Sequence, residues 1–314
     1  MLVGLFVHAD LGALLHTWDL AGWRLLWLVP YRAGFYLLYA IGWRELLRTC
    51  DPEPCAGFGY VYWVTTVRDA IDRLLPVASV GGGVAAVRLM RWRKLPSTPV
   101  VVSVIVEVLL TLIVVYVFTA MGLVLLLHLH VAGPDSDRLQ LAFLASLPFP
   151  AVLVLLLRSG SVFKRLHGLL RPMVGARLLA EGAASLDDEL RAALRRGRAL
   201  LIAGSLQLIA FASASFEVWL ALRLFGHPVS VETAVVLESL TQAARYLAFI
   251  VPAGIGVQEV GFVLFGHMLG VGTDLALAVS MAKRLREVLC GVPSLISWQW
   301  LEGRRLHTVM NGRP

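Results

Sequence analysis

Residues 251–261 read VPAGIGVQEVG and interrupt a hydrophobic part of the chain. The stretch carries a proline, three glycines, a glutamine and a glutamate between the apolar runs LAFI at 247–250 and FVLF at 262–265. Within the hydrocarbon of a membrane, non-helical backbone is tolerated only where protein or a water-filled cavity covers the unpaired N–H and C=O groups. The stretch therefore predicts a turn between two helices inside a membrane-embedded region.

The composition is that of a membrane protein. Of 314 residues, 58% are hydrophobic and 16% are charged, and the mean hydropathy is +0.75. We predict an all-α polytopic integral membrane protein in which residues 1–314 form one transmembrane domain. Segments of this length cross about 30 Å of hydrocarbon as helices. The predicted spans are Gly22–Gly42, Val100–Leu127, Leu139–Leu157, Ala199–Leu222 and Leu275–Leu301.

The sequence starts with a short apolar run, MLVGLFV, that ends at His8. Seven residues are too few for a span, and the run lacks the basic flank and cleavage site of a signal peptide. We interpret it as the remainder of a truncated first span.

Basic residues are concentrated in a few segments. Residues 158–198 hold nine Lys/Arg and residues 88–94 hold four, whereas Val131–Arg138 is short and nearly acidic. The tail after Leu301 adds Arg304, Arg305 and Arg313. Because positive loops stay on the cytoplasmic side, we place these three basic segments inside and Val131–Arg138 outside. Residues 158–198 are then a basic cytoplasmic loop. The net charge of +7 reflects this topology and attraction to lipid headgroups, and no nucleic-acid partner is expected.

The chain must leave and return to one membrane face between residues 231 and 272. A polar stripe at i, i+3, i+4 and i+7 precedes the glycine-rich turn and predicts a re-entrant helical hairpin over 231–272 rather than two crossings. The stripe is formed by Glu238, Thr241, Gln242 and Arg245.

A second hairpin is predicted over residues 58–94. A helix with a polar stripe of Thr65, Arg68, Asp69 and Asp72 leads into PVASVGGG at 76–83, which aligns with PAGIGVQE at 252–259. With the two turns on opposite faces, the chain is an inverted repeat, in which such interrupted segments mark a midplane binding site. The predicted turn residues are Pro76, Gly81, Gly82, Pro252, Gly254 and Gly256.

The last predicted span carries Lys283, Arg284, Arg286 and Glu287 near its middle. Each would cost roughly 2.5 to 3.5 kcal/mol if exposed to lipid at mid-membrane. They occupy one half of the helix, so we expect this half to face the hairpins and the apolar half with Met281, Leu285, Val288 and Leu289 to face lipid. The candidate substrate-binding residues are Arg88, Glu238, Arg245, Gln258, Glu259, Arg284, Arg286 and Glu287.

Several residues allow a second interpretation. The glycines can serve close helix packing alone, and Arg245 with Glu259 can be a structural ion pair rather than a substrate contact. Glu107 and Glu217, each alone in its span, are interpreted as packing or as partners of a neighbouring arginine. The histidines and the three cysteines show no metal-site spacing, and we expect no metal and no cofactor.

Three stretches carry a resemblance: 238–271, LLPVASVGGGVAAVRL at 74–89, and KRLREVLCGVPSLISWQWLEGRRL at 283–306. They resemble the flippase-like superfamily of the lysylphosphatidylglycerol synthase transmembrane region, and within it the hopanoid-associated HpnL branch. Asp72 and Arg73 stand where the resemblance implies a polar amide pair, and Gly83 stands where an acid is frequent. With no aminoacyltransferase domain in the sequence, lysine transfer to lipid is not expected.

The resemblance implies a lipid transporter of the bacterial cytoplasmic membrane that handles hopanoids or related lipids, without enzymatic activity. The cationic last span by itself favours a phosphate-bearing lipid such as a polyprenyl phosphate. Two other functions stay open: an intramembrane enzyme that modifies a lipid headgroup with Glu259 as general base, and a scaffold for lipid-biosynthesis enzymes.

Overall fold

The regular structure is helical. The computed structural model describes residues 22–48, 56–75, 81–129, 134–148, 186, 188–248, 251, 254 and 256–310, and these contain helices and no strand, which confirms the all-α prediction. The helices are α1 Leu28–Leu47, α2 Phe58–Leu74, α3 Gly81–Arg91, α4 Ser97–His128, α5 Pro134–Ser146, α6 Gly197–Leu224, α7 Val231–Leu247, α8 Val257–Met268 and α9 Thr273–Met310. A 3-10 helix, Gly22–Trp27, precedes α1.

Some sequence predictions fall on other parts of the chain. The apolar run at residues 1–7, Pro76, Pro252 and most of the basic loop 158–198 lie outside the described residues. The predicted span Leu139–Leu157 is described only as far as residue 148.

Three of the described helices are long and apolar enough to cross a membrane: Gly22–Leu47, Ser97–His128 and Gly197–Leu224. They coincide with three predicted spans. The helix α9 is longer, at 38 residues, but carries charged side chains near its middle and is not among the three.

Large apolar side chains cover the surface of these spans. Val108 and Val124 of α4 are 60% and 64% exposed, and Leu201 of α6 is 72% exposed. The same helices bury Glu107 and Gln207. Apolar residues outside and polar residues inside are what a lipid environment requires, since an unpaired polar group in hydrocarbon is costly.

Local signals set the helix ends around α7. Ser230 is the N-cap, and its hydroxyl accepts a hydrogen bond from the Thr233 N–H at 3.1 Å. The preceding helix α6 ends before Gly226, whose φ of +77° belongs to the left-handed region that favours glycine. The connection between α6 and α7 is therefore fixed by short-range interactions.

The chain groups into two compact units. The first comprises the described parts of Met1–Leu37, Tyr62–Ala86 and Ser213–Pro314, and the second those of Leu38–Val61 and Val87–Ala212. In the second unit, a core formed by Leu46, Val102, Val106, Leu109, Leu190 and Ala203 ties α1, α4 and α6 to helical residues 188–194.

In the first unit, α7 and α8 form an antiparallel pair. A Cβ atom on Gly261 would lie 3.1 Å from the Thr241 side chain, so α8 passes close to α7. Near the other end of α8, a Cβ on Gly266 would lie 3.3 Å from Ala276 of α9. Small residues thus allow the close helix contacts that stabilise packing in lipid.

Gly291 provides a test of helix packing. A Cβ there would lie 2.5 Å from Leu74 Cδ1 and 3.4 Å from the Ala70 Cβ, because α2 crosses α9 at this point. We expect Gly291→Leu to destabilise the protein by about 1–3 kcal/mol through overpacking, measured as a lower thermal unfolding midpoint in detergent.

Gly303→Leu is the matched control, since it lies on the same helix and a Cβ there would have no neighbour within 4 Å. Equal unfolding midpoints for the two variants would contradict the close crossing of α2 and α9.

Candidate functional site

The charged half of α9 points into the first unit. Lys283, Arg286 and Glu287 are each 3% exposed, whereas Leu285 and Val288 on the other half are 36% and 45% exposed. This confirms the predicted orientation of the helix. It also means that these charges must find partners within the protein, because an isolated buried charge is far more costly than a paired one.

The Glu287 carboxylate is shared by arginines from three helices. Its Oε1 lies 2.8 Å from Arg73 Nη1 of α2 and 3.6 Å from Arg245 Nη1 of α7. Its Oε2 lies 3.2 Å from Arg284 Nη1, and Arg286 Nη2 approaches Oε1 at 3.8 Å. One buried carboxylate thus links both predicted hairpins to the last helix.

Asp69 extends these contacts towards α1. It accepts a hydrogen bond from Arg73 Nε at 2.7 Å and another from the Tyr36 hydroxyl at 2.8 Å. Arg32 Nη2 lies 3.3 Å from the same carboxylate. The arginine in the first span is therefore neutralised by α2.

Two further ion pairs are almost fully buried. Lys283 Nζ donates to Glu238, which also accepts a hydrogen bond from Gln242 Nε2 at 2.8 Å. Arg286 Nε lies 2.8 Å from Glu217 Oε1, with side-chain exposures of 3% and 1%. Glu217, the lone carboxylate of the span α6, therefore pairs with an arginine, as its isolation in the sequence suggested.

Arg284 and Glu259 hold the turn before α8. Arg284 Nη2 donates to the Gly254 carbonyl at 3.0 Å, and its Nε donates to Glu259 Oε1 at 3.0 Å. The other oxygen of Glu259 accepts the Gly256 N–H at 2.8 Å. Gly254 and Gly256 have φ values of +59° and +84°, which L-residues rarely adopt. Two backbone groups of this turn, the Gly254 carbonyl and the Gly256 N–H, are thus bound by one arginine and one glutamate.

Arg245 lies directly beside this turn. Its Nη1 donates to Gln258 Oε1, and Gln258 Nε2 donates to Ser280 Oγ of α9 at 3.1 Å. A Cβ on Gly254 would lie 3.3 Å from Arg245 Nε, so the absence of a side chain there makes room for the guanidinium.

Among the described residues, the ion pairs given above join six cations to five carboxylates and so leave one cation in excess. We call the linked residues the charge cluster. Its six cationic members are Arg32, Arg73, Arg245, Lys283, Arg284 and Arg286, and its five carboxylates are Asp69, Glu217, Glu238, Glu259 and Glu287. Arg245 is the least compensated cation, because its nearest partner is a neutral amide and its carboxylate is closer to Arg73 and Arg284.

Part of the charge cluster is exposed. The side chains of Arg245, Arg284, Arg73 and Asp69 are 12%, 20%, 21% and 23% exposed, while that of Glu287 is 1% exposed. The least compensated cation is therefore among the side chains that a polar ligand can contact. Within the described residues, no group of three or more His, Cys, Asp or Glu is arranged to hold a metal ion.

The chain matches the family described as the lysylphosphatidylglycerol synthase TM region over residues 1–293. It belongs to this family. No curated protein and no solved structure matches the chain. The superfamily resemblance seen in the sequence is confirmed, and the protein is a multi-helix membrane protein of a family related to lipid handling.

In this member of the lysylphosphatidylglycerol synthase TM region family, seven of the eight candidate site residues lie in the charge cluster or contact it. The eighth candidate, Arg88, has an exposed side chain and belongs to the second compact unit. The ion pair between Arg245 and Glu259 that we considered from the sequence is not formed: Arg245 contacts Gln258 and Glu287, and Glu259 pairs with Arg284. Of the predicted turn glycines, Gly81 begins α3 and Gly82 donates its N–H to Asp72 Oδ1 at 2.9 Å.

Part of the charge cluster was not predicted from the sequence. Arg32, Asp69 and Arg73 were not among the candidate site residues, although Asp69 belongs to the polar stripe of the first predicted hairpin. The available signal was the placement of charge in membrane-embedded helices, where an ionisable residue implies a buried partner. The identity of that partner depends on long-range contacts, such as the one between Arg73 and Glu287.

The buried pair of Arg286 and Glu217 can be tested by a double-mutant cycle. We expect Glu217→Gln to destabilise the protein by about 3–5 kcal/mol, because it leaves Arg286 buried without its partner. The double variant Glu217→Gln with Arg286→Gln should be more stable than Glu217→Gln alone. Thermal unfolding in detergent measures both effects.

Glu232→Gln, an exposed acid in the first turn of α7, is the control and should leave the unfolding midpoint unchanged. Strictly additive losses in the double variant would mean that Glu217 and Arg286 do not stabilise the fold as a pair.

Proposed function

We propose that this protein carries a lipid with an anionic headgroup between the leaflets of the bacterial cytoplasmic membrane, and that Arg245 contacts the headgroup. The observation that carries the proposal is the excess cation of the charge cluster, held beside a glycine turn and 12% exposed. The close partner of the Arg245 guanidinium is a neutral amide. A phosphate is a better partner for it, because a hydrogen bond between two charged groups is shorter and stronger than one to a neutral group.

The ends of the spans support a re-entrant first hairpin. Leu46 at the end of α1 and Val102 near the start of α4 belong to one buried core, which supports an intervening chain that leaves and returns to the same face. Within it, α2 and α3 have 17 and 11 residues. At 1.5 Å per residue they reach about 25 Å and about 16 Å, short of the roughly 30 Å of hydrocarbon.

The helices of the second hairpin are similarly short. The helices α7 and α8 have 17 and 12 residues and are also too short to cross separately without tilt or thinning. Both hairpins contact Glu287, through Arg73 of the first and Arg245 of the second. Two interrupted hairpins around one buried charge are what an inverted-repeat carrier needs at its binding site.

The shared carboxylate suggests how a headgroup is accepted. Arg245 lies 3.6 Å from Glu287 Oε1, while Arg73 lies 2.8 Å from the same oxygen. A phosphate that binds Arg245 replaces the longer of these two contacts, that between Arg245 and Glu287. Glu287 then stays paired with Arg73 and Arg284. Binding then costs no buried ion pair. Glu259, with both oxygens engaged in the turn, acts as a positioning residue for Arg284 and the Gly254 carbonyl.

The lipid class can be narrowed by charge. A hopanoid substrate rests on the sequence resemblance to the HpnL branch and stays a prediction. The excess cation favours a phosphate-bearing lipid, including a polyprenyl phosphate. A carrier for a neutral hopanoid would not need Arg245 to be charged, so the two classes respond differently to its replacement.

Leaflet-to-leaflet movement of labelled lipids in proteoliposomes tests the function. We expect Arg245→Gln to slow movement of an anionic phospholipid by about tenfold or more, because a charge-assisted hydrogen bond is lost. Glu259→Gln and Gly256→Leu should also slow it by disturbing the turn. All three variants should be compared with the wild type by thermal unfolding.

Arg223→Gln is the matched control, since this exposed arginine stacks on Trp219 outside the charge cluster. Wild-type rates for both Arg245→Gln and Gly256→Leu would refute the proposed site. Movement of a hopanoid but of no anionic lipid would refute the anionic headgroup and keep the carrier.

Cysteine labelling tests the hairpin topology. In a cysteine-free background, a cysteine at Ser79 should react with an impermeant thiol reagent only from the cytoplasmic side, and one at Ala253 only from the opposite side. The reason is that a re-entrant turn opens to the face from which its helices enter.

Cysteines at Gly57 and Arg93, exposed positions at the two ends of the first hairpin, are the controls for the cytoplasmic side. If Ser79 reacts from the face opposite to these controls, α2 and α3 cross the membrane and the inverted repeat is wrong.

A further inference from the structure

A cavity of about 260 Å³ lies in the second compact unit, and its lining includes no residue of the charge cluster. Its lining includes Leu46 from the last turn of α1, Pro99 and Val102 from the first turns of α4, and Ala199 from the first turn of α6. These are the ends of the three helices that are long and apolar enough to span a membrane. The cavity therefore lies where the hydrocarbon meets the headgroup region.

The cavity wall combines an apolar interior with charged residues. Val102 and Val106 are 4% and 1% exposed, and Ser103 is engaged with Trp43 Nε1 at 3.2 Å. Helical residues 188–194 and the turn after them supply Glu189, Ala193 and Arg196. Among the described residues, the side chains of Glu189 and Arg196 form no ion pair, and Arg196 is exposed.

The segments around these helix ends are strongly basic. They are 44–48, which closes α1, 88–94, which precedes α4, and 187–198, which precedes α6. Together they contain ten Lys/Arg and four Asp/Glu. Clusters of this kind beside membrane spans attract anionic lipids, with about 1 kcal/mol for each basic residue near the surface.

We propose that this cavity is a binding site for one anionic phospholipid of the leaflet that contacts the basic segments. The upper part of an acyl chain enters the apolar wall formed by Leu46, Val102 and Val106, the phosphate contacts Arg196, and headgroup hydroxyls donate to Glu189. The volume is just below that of ordinary small-molecule pockets, about 300–1,000 Å³, so the cavity takes part of one lipid rather than a whole one.

The proposal is independent of lipid transport. The cavity lies in Leu38–Val61 and Val87–Ala212, whereas every residue of the charge cluster lies in the first unit. A phospholipid bound here fills the space between α1, α4 and residues 188–199, and thereby stabilises the packing of three helix ends.

Native mass spectrometry of the full chain in detergent, titrated with phosphatidylglycerol, measures the binding. We expect one tightly bound lipid whose apparent affinity falls by about tenfold in Arg196→Gln, since a charge-assisted contact is removed. Ala193→Phe, which fills the cavity, should lower it similarly. Arg198→Gln is the matched control and should lower the affinity less, because this exposed arginine is two residues away and does not line the cavity.

Three results would overturn the proposal. One is equal affinity in Arg196→Gln and Arg198→Gln, and another is equal or tighter binding of phosphatidylcholine or phosphatidylethanolamine in place of phosphatidylglycerol. The third is loss of this lipid in Arg245→Gln, which would assign it to the charge cluster. If Ala193→Phe does not fold, the comparison of the two surface arginine variants still decides the question.

Discussion

Glu287 must be neutralised inside the protein, and the arrangement of the first compact unit follows from this constraint. Its carboxylate is 1% exposed and contacts Arg73 of α2, Arg245 of α7 and Arg284 of its own helix. A charge left towards lipid at mid-membrane costs roughly 2.5 to 3.5 kcal/mol, and a buried charge deprived of its partner costs about 3 to 5 kcal/mol. Displacing any of these helices would leave at least one charge unpaired. The ion pairs therefore fix the register of α2 and α7 against α9.

Close packing complements these electrostatic contacts. In lipid there is little hydrophobic drive between helices, so association depends on van der Waals contact and polar interactions. Gly261 brings α8 against Thr241 of α7, and Gly291 brings α9 against Leu74 of α2. The glycines allow the distances at which the ion pairs form. Those in the turn have a different role, because Gly254 and Gly256 adopt positive φ and free the backbone groups that Arg284 and Glu259 bind.

The two compact units offer lipids different chemistry. In the charge cluster, Arg245 lies beside the turn between α7 and α8, and its charge is only partly compensated. This suits transient binding of a headgroup. The cavity in the second unit is mostly apolar with one arginine and one glutamate, which suits longer residence of an acyl chain and its phosphate. Because the charge cluster and the cavity belong to different compact units, variants of Arg245 and Arg196 test the two proposals separately.

The sequence by itself determined the membrane class, three of the spans and the exposed apolar side of α9, because these depend on composition and on the 3.6-residue period of a helix. It also determined that Arg245, Gln258, Glu259 and the residues 283–287 share one region, because the turn and the charged span stand out from apolar surroundings. Only the tertiary structure decided the partners. Arg286 pairs with Glu217 and Arg73 with Glu287, although these residues are far apart in the chain. A one-dimensional pattern gives the face of a helix on which a charge lies, but which carboxylate comes within 3 Å of it depends on how the helices cross.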